Sequence, residues 1–129
     1  VNAAVSAAAR RRGIAVNAVD DPPNCTFIVP AVVRRGDLVV AISTGGKSPA
    51  AARLVKERIA ALLGAEYAEL VRLLGAHRGA MKDQVPGQTR RARAWKRMLD
   101  EGMLESLRKG DRAGAKAAVR RCLNEARRK

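Results

Sequence analysis

The segment DLVVAISTGGKSPAAARLVKERI, residues 37–59, restricts the fold more than any other stretch of the chain. An apolar, β-branched run gives way to a glycine pair and then to a helix start, so a strand must turn into a helix within a few residues. That order belongs to α/β architectures. Ser48-Pro49 opens the helix, since a serine cap accepts an orphan amide and proline at the first helical position loses no hydrogen bond. Gly46-Lys47-Ser48 imitates the end of a nucleotide-binding loop, whose first glycine must stand five positions earlier. That position is Ala41, so the nucleoside-triphosphate reading fails.

On either side of this segment the pattern continues. VNAAVSAAARRRG opens the chain as a helix with arginines in its last turn and Gly13 as its stop, and IAVNAV, residues 14–19, reads as a short buried strand. A helix feeding a strand looks like a dinucleotide-type unit entered part-way, and the sequence is read as a fragment on that ground. None of the eleven glycines forms a G-x-G-x-x-G triplet, so no pyrophosphate turn is expected here. TFIVPAVV and DLVVAIS read as a strand pair about Arg34-Arg35-Gly36-Asp37, with Pro30 at an edge or bend. Beyond it, Ala51, Val55, Ile59 and Leu62 make one apolar helical stripe. From residue 64 the chain reads as helical throughout, with stripes at Tyr67-Leu70-Val71-Leu74, Ala92-Trp95-Leu99 and Ala115-Val119-Cys122-Ala126, broken by glycines and by Pro86-Gly87.

Charge narrows the partner. Lys and Arg number 26 against 12 acids, a formal net charge of +14, and residues 78–129 hold sixteen of the bases. An anionic partner follows: nucleic acid, membrane surface or a polycarboxylate. Phe27, Tyr67 and Trp95 are the only aromatic rings, too few for base stacking, which makes a non-enzymatic nucleic-acid-binding module the weaker alternative. Cys25 and Cys122 lack metal-type spacing and read as reduced core thiols. No apolar run has membrane-span length and no signal peptide opens the chain, so the expectation is a soluble cytoplasmic protein.

Two features could carry chemistry. Asp20 and Asp21 follow the expected strand at the place where α/β sheets present ligand-contacting groups, although Asp-Asp-Pro-Pro is also an ordinary turn. Adjacent residues of extended backbone point opposite ways, so only one should face a site, and Asp20 is the better placed. Ser43, Thr44, Gly45, Gly46, Lys47 and Ser48 unite hydroxyls, open backbone, a cation and a helix N-terminus, either as an anion cradle or as a plain tight connection. The lone His77 reads as a surface residue with no metal cluster around it, and Arg90, Arg93 and Arg97 recur at helical spacing, either as a solvated face or along one side of a cleft.

Taken in order, V-N-A-V-D-D, F-I-V-P-A, the S-T-G-G-K-S-P loop and the basic helical tail resemble the precorrin-2 dehydrogenase / sirohydrochlorin ferrochelatase family, the N-terminal module of siroheme synthase. The likeness is close over residues 1–63 and looser beyond. It implies part of a Rossmann-like NAD-binding domain over residues 1–24, a strand-exchanging dimerisation segment over 25–63 and a basic all-α domain over 64–129. It also implies NAD-dependent oxidation of precorrin-2 to sirohydrochlorin in a homodimer, with ferrous iron as a second substrate in bifunctional members. By the same resemblance Asp20 is the catalytic carboxylate and Ser43–Ser48 meets the anionic tetrapyrrole. The main NAD site is expected outside these residues, leaving this piece inactive alone as a dehydrogenase, and no metal ligand is assigned.

Overall fold

The computed structural model describes residues 1–128, which form seven α-helices and one two-stranded sheet arranged as two compact units. Residues 1–33 and 39–62 make the first unit; residues 34–38 and those from 63 onward make the second.

In the first unit, α1 (Asn2–Arg11) ends at its arginines, and Arg10 Nη2 donates to the carbonyl of Pro23 (3.4 Å) in the short 3-10 turn Pro22–Asn24. The strand expected over residues 14–19 does not form. The segment runs irregularly, Ile14 is 55% and Val19 80% exposed, and it is fastened locally: Thr26 N donates to Val16 O (2.8 Å) and Val16 N to Thr26 Oγ1 (2.7 Å). Apolar, β-branched composition favours a strand only where neighbouring strands supply the ladder. Among the described residues the sheet has only two strands, and this segment is neither of them.

β1 (Ala31–Arg35) and β2 (Leu38–Ile42) do pair, but β1 begins only after Pro30, so the first half of TFIVPAVV lies outside the ladder, as proline's missing donor dictates. The turn places Gly36 at φ +58°, the glycine-first geometry that suits a two-residue hairpin. A Cβ there would lie 3.1 Å from Ala68 Cβ, and Arg35 Nε donates to Leu63 O (2.6 Å), so the hairpin tip is seated on the helical unit to which it belongs.

α2 (Pro49–Leu62) forms as the cap predicts, yet its predicted stripe is not interior. Val55 is 41% and Leu62 73% exposed, Ala51 is exposed, Ile59 is half-buried, and Ala52 is the helix's one buried residue. Helical period identifies an apolar face; it does not guarantee that the same chain covers it.

The second unit holds the continuous core. α3 (Glu66–Ala76), α4 (Arg78–Gln84), α5 (Gln88–Asp100), α6 (Met103–Arg108) and α7 (Arg112–Arg128) surround Met81, Val85, Met98, Met103, Val119 and Cys122, all with essentially no exposed surface. Each such Met or Val stabilises the fold by about 1.5–3 kcal/mol through removal from water. α7 packs on α5 and α6, and α3 on α6. The α7 stripe is buried as expected. On α5 the buried residues are Ala94 and Met98, whereas Ala92 and Leu99 are exposed and Trp95 is half-buried. Pro86-Gly87, Gly102 and Gly110 separate helices, but Gly75 and Gly79 lie inside α3 and α4.

Candidate functional site

The first unit contains a cavity of about 360 Å³ bounded by the 17–22 turn, Cys25, Ile28, Val29, Gly46 and Pro49. It brings together Asp20 and Gly46, members of the two sequence-predicted groups. Asp20 has φ +53°, the only non-glycine residue with positive φ among those described, and is therefore in a turn. Both aspartates line the cavity, contrary to the expectation that only one could, because alternation of side chains applies to extended backbone. Their chemistry differs. Asp21 Oδ2 accepts from Asn24 Nδ2 (2.8 Å), whereas among the described residues the Asp20 carboxylate has no hydrogen-bond or ion-pair partner. It is exposed and available to a ligand.

Cys25 organises this turn. Its Sγ accepts from Ala18 N (3.2 Å) and lies 3.3 Å from both the Ala18 and Asp21 carbonyl oxygens, either of which can take the thiol proton. Asn17 Nδ2 donates to Phe27 O (3.1 Å) on the same side. The sequence reading of Cys25 as a core thiol is thus corrected: it is partly buried and ties together the two ends of the Asp20 turn. Its spacing from Asp20 carries no recognisable pattern, so only the folded turn exposes the role.

The 43–48 loop is built largely from its own hydroxyls. Gly45 N donates to Ser43 Oγ, Ser48 N donates to Thr44 Oγ1, Thr44 Oγ1 donates to Ser48 O, and Ala51 N donates to Ser48 Oγ, each at 3.1 Å. Ser48 is therefore a true N-cap. These bonds occupy much of the hydroxyl capacity proposed for an anion, and Ser43, Thr44, Gly45, Lys47 and Ser48 do not line the cavity with Asp20. Gly46 does. A Cβ on it would stand 3.5 Å from Ile28 Cδ1 and 3.9 Å from Pro22 Cβ. Among the described residues the Gly46 amide and the exposed Lys47 ammonium have no partner, leaving a donor and a cation to offer a carboxylate.

The remaining predicted candidates are accounted for within the helical unit. His77 is half-buried, with Nδ1 2.9 Å from Leu73 O at the end of α3, and among the described residues no cluster of three potential metal ligands occurs. Arg90, Arg93 and Arg97 do not line a common cleft: Arg90 Nη2 donates to Ala126 O (3.0 Å), Arg97 pairs with Glu125, and Arg93 is exposed. Two of the three fasten α5 to α7. Among the described residues no helix is long and apolar enough to cross a membrane.

The architecture is that of the solved "SirC, precorrin-2 dehydrogenase", with a TM-score of 0.61 at 22% identity, covering 81% of this chain and 48% of that one. Three family models follow one another along the sequence: "Putative NAD(P)-binding" over residues 1–31, "Sirohaem biosynthesis protein central" over 35–62 and "Sirohaem synthase dimerisation region" over 66–123. Siroheme synthase of Nitrosomonas europaea is 44% identical over 99 residues, covering 77% of this chain and 21% of that protein. Siroheme synthase of Nitrosomonas eutropha is 39% identical over 123 residues, covering 95% and 26%. The chain belongs to the siroheme synthase family. It spans about a fifth to a quarter of the length of these curated relatives.

Proposed function

We propose that this chain forms part of an enzyme of siroheme biosynthesis that oxidises precorrin-2 to sirohydrochlorin, with ferrous iron insertion as a second reaction at the same carboxylate. The observation that carries the reading is the unpartnered Asp20 carboxylate held in one cavity with Gly46. Oxidation removes a hydride and a proton from the macrocycle, and chelation displaces protons from pyrrole nitrogens as the metal enters. Asp20 accepts the proton in each case, acting as a general base once a nitrogen or carbon donor lies within hydrogen-bond reach. The Gly46 amide and Lys47 receive a peripheral carboxylate of the ring, and Ser43, Thr44, Gly45 and Ser48 hold the loop that presents them.

An NAD-type cofactor is the expected hydride acceptor, supported by the match of residues 1–31 to an NAD(P)-binding model. The residues described here do not by themselves fit a dinucleotide: the 14–19 segment has no sheet beside it, and none of the glycines forms the G-x-G-x-x-G turn that seats a pyrophosphate. No step through the cofactor is therefore assigned to this chain's side chains. The exposed apolar face of α2 and the match to a dimerisation region support a homodimer.

Asp20→Ala in the full-length protein tests the assignment. Precorrin-2 turnover, followed by its absorbance change, should fall by about 100-fold or more, the usual scale of general-base loss, while the circular dichroism spectrum stays unchanged. Undiminished turnover in a folded Asp20→Ala protein rejects the role.

A further inference from the structure

We propose that the helical unit carries a separate binding site, centred on Trp95, for a small flat organic anion: an apolar ring bearing a carboxylate or phosphate. Two adjoining concavities of about 350 and 470 Å³ share Arg78 and Trp95. One is lined by Lys82, Gln88 and Arg91 with Met81 at its base; the other adds Val71 and Leu74. Their size falls in the range of small-molecule pockets, and the mix of an apolar floor with few polar groups is the usual composition.

The polar groups are nearly all donors. Arg78, Lys82 and Arg91 are cations, Trp95 offers an indole N–H, and no carboxylate belongs to the lining. Among the described residues the Arg78 and Lys82 side chains have no ion-pair or hydrogen-bond partner, and Arg91 uses Nη1 on the Val85 carbonyl (3.1 Å), which fixes its guanidinium in place. Several other arginines of the same unit are neutralised, among them Arg72 by Glu69 at 2.6 Å, Arg108 by Glu66 at 3.1 Å and Arg97 by Glu125. Arg78, Lys82 and Arg91 thus leave uncompensated charge beside the one tryptophan. Arg93, Arg120, Arg127 and Arg128 are uncompensated elsewhere in the unit, but among the described residues only here does such charge adjoin an apolar ring and a concavity of this composition. Arg78 is also the first residue of α4, where a cation opposes the helix dipole, so helix stability does not explain its presence.

An oxyanion supplies the missing acceptor, and guanidinium groups bind carboxylate or phosphate in the same forked manner. A flat ring on that anion covers Trp95, Val71 and Leu74, gaining stacking and removal of apolar surface together. A second copy of the chain is the competing occupant, since residues 66–123 match a dimerisation region, and it is one of the outcomes of the test below. The site lies wholly within the helical unit and does not rest on the assignment of Asp20.

Trp95 is the only tryptophan, so its fluorescence reports this site alone. The whole chain is titrated at low salt with benzoate, AMP, benzamide and inorganic phosphate. Benzoate or AMP should change the emission saturably and bind at least about ten-fold tighter than benzamide or phosphate, because ring and charge are both required. The tighter of the two identifies the anion as carboxylate or phosphate. Arg78→Gln should weaken that binding by about ten-fold, the scale of one charge-assisted hydrogen bond, while Lys109→Gln, of equal charge change, leaves it within two-fold. Equal binding of benzamide, unchanged affinity in folded Arg78→Gln, or Trp95 shielding that grows with protein concentration without any ligand would each overturn the proposal.

Discussion

Replacing Gly46 by alanine separates the backbone's need for glycine from the cavity's need for space. Residue 46 has φ +80°, where a side chain carries a cost of about 1–2 kcal/mol from the clash of Cβ with its own backbone. The new methyl would meet Ile28 at 3.5 and 3.6 Å and Pro22 at 3.9 Å, ordinary van der Waals contacts that add no further clash. Gly45, at φ +61° with nothing within 4 Å of a Cβ, is the matched comparison. Both Gly45→Ala and Gly46→Ala should therefore lose a similar 1–2 kcal/mol, roughly 4–16 °C in the melting of a unit this small. Amide exchange in residues 43–52 reads the loss locally. Function should split them: the methyl at 46 enters the cavity shared with Asp20, so in the full-length protein precorrin-2 turnover falls further in Gly46→Ala than in Gly45→Ala. A Gly46→Ala protein of unchanged stability refutes the backbone argument. Equal turnover in the two variants refutes the claim that position 46 borders the site.

Ser48→Ala removes the acceptor of the Ala51 amide and should cost about 1 kcal/mol, read from the urea midpoint at constant slope, with Ser48→Asn restoring most of it. The Cys122 thiol is pushed up to about 11, first by burial and then by Glu101, from an ordinary value of 9.0. Folding therefore favours the protonated thiol, a contribution complete below pH 9 and lost as pH rises through about 11; the stability difference between wild type and Cys122→Ala should shrink across that window. At neutral pH an alkylating reagent should accordingly modify the partly buried Cys25 before the fully buried Cys122, as peptide mapping would reveal. The hydrogen bond from Arg72 holds the Glu69 carboxyl below its ordinary value of 4.5, so this contribution is present above pH 4.5 and lost as the pH falls through the lowered value; Glu69→Gln should flatten the acid limb of melting temperature against pH.

Legibility followed the range of the interactions involved. The Ser48 cap, the hairpin about Gly36 and the buried stripe of α7 were readable because each depends on neighbours within a few positions or on one helical period. The buried stripe of α5 is rotated by a fraction of a turn from the one its spacing predicts. Ala92, Trp95 and Leu99 are spaced as plausibly as Ala94 and Met98, and an arginine-rich helix contains too few apolar residues to choose between the two faces. The 14–19 strand failed for a different reason: composition states a preference for a ladder, but partner strands must provide it. Cys25 was legible as a thiol and illegible as the tie across the Asp20 turn, because its partners are backbone atoms.

By itself, the order of residues determined the kind of chemistry available: an acid after V-N-A-V, a glycine-serine loop entering a helix, and an excess of bases toward the C-terminus. Covalent identity and short-range spacing suffice for those statements. Tertiary structure alone decided that Asp20 and Gly46 border one cavity, that Asp21 is engaged with Asn24 while Asp20 is not, and that unpaired cations gather about Trp95. Each is a matter of which groups meet across a turn or between helices, and a burial pattern read along one element contains no information about the partner on the other side.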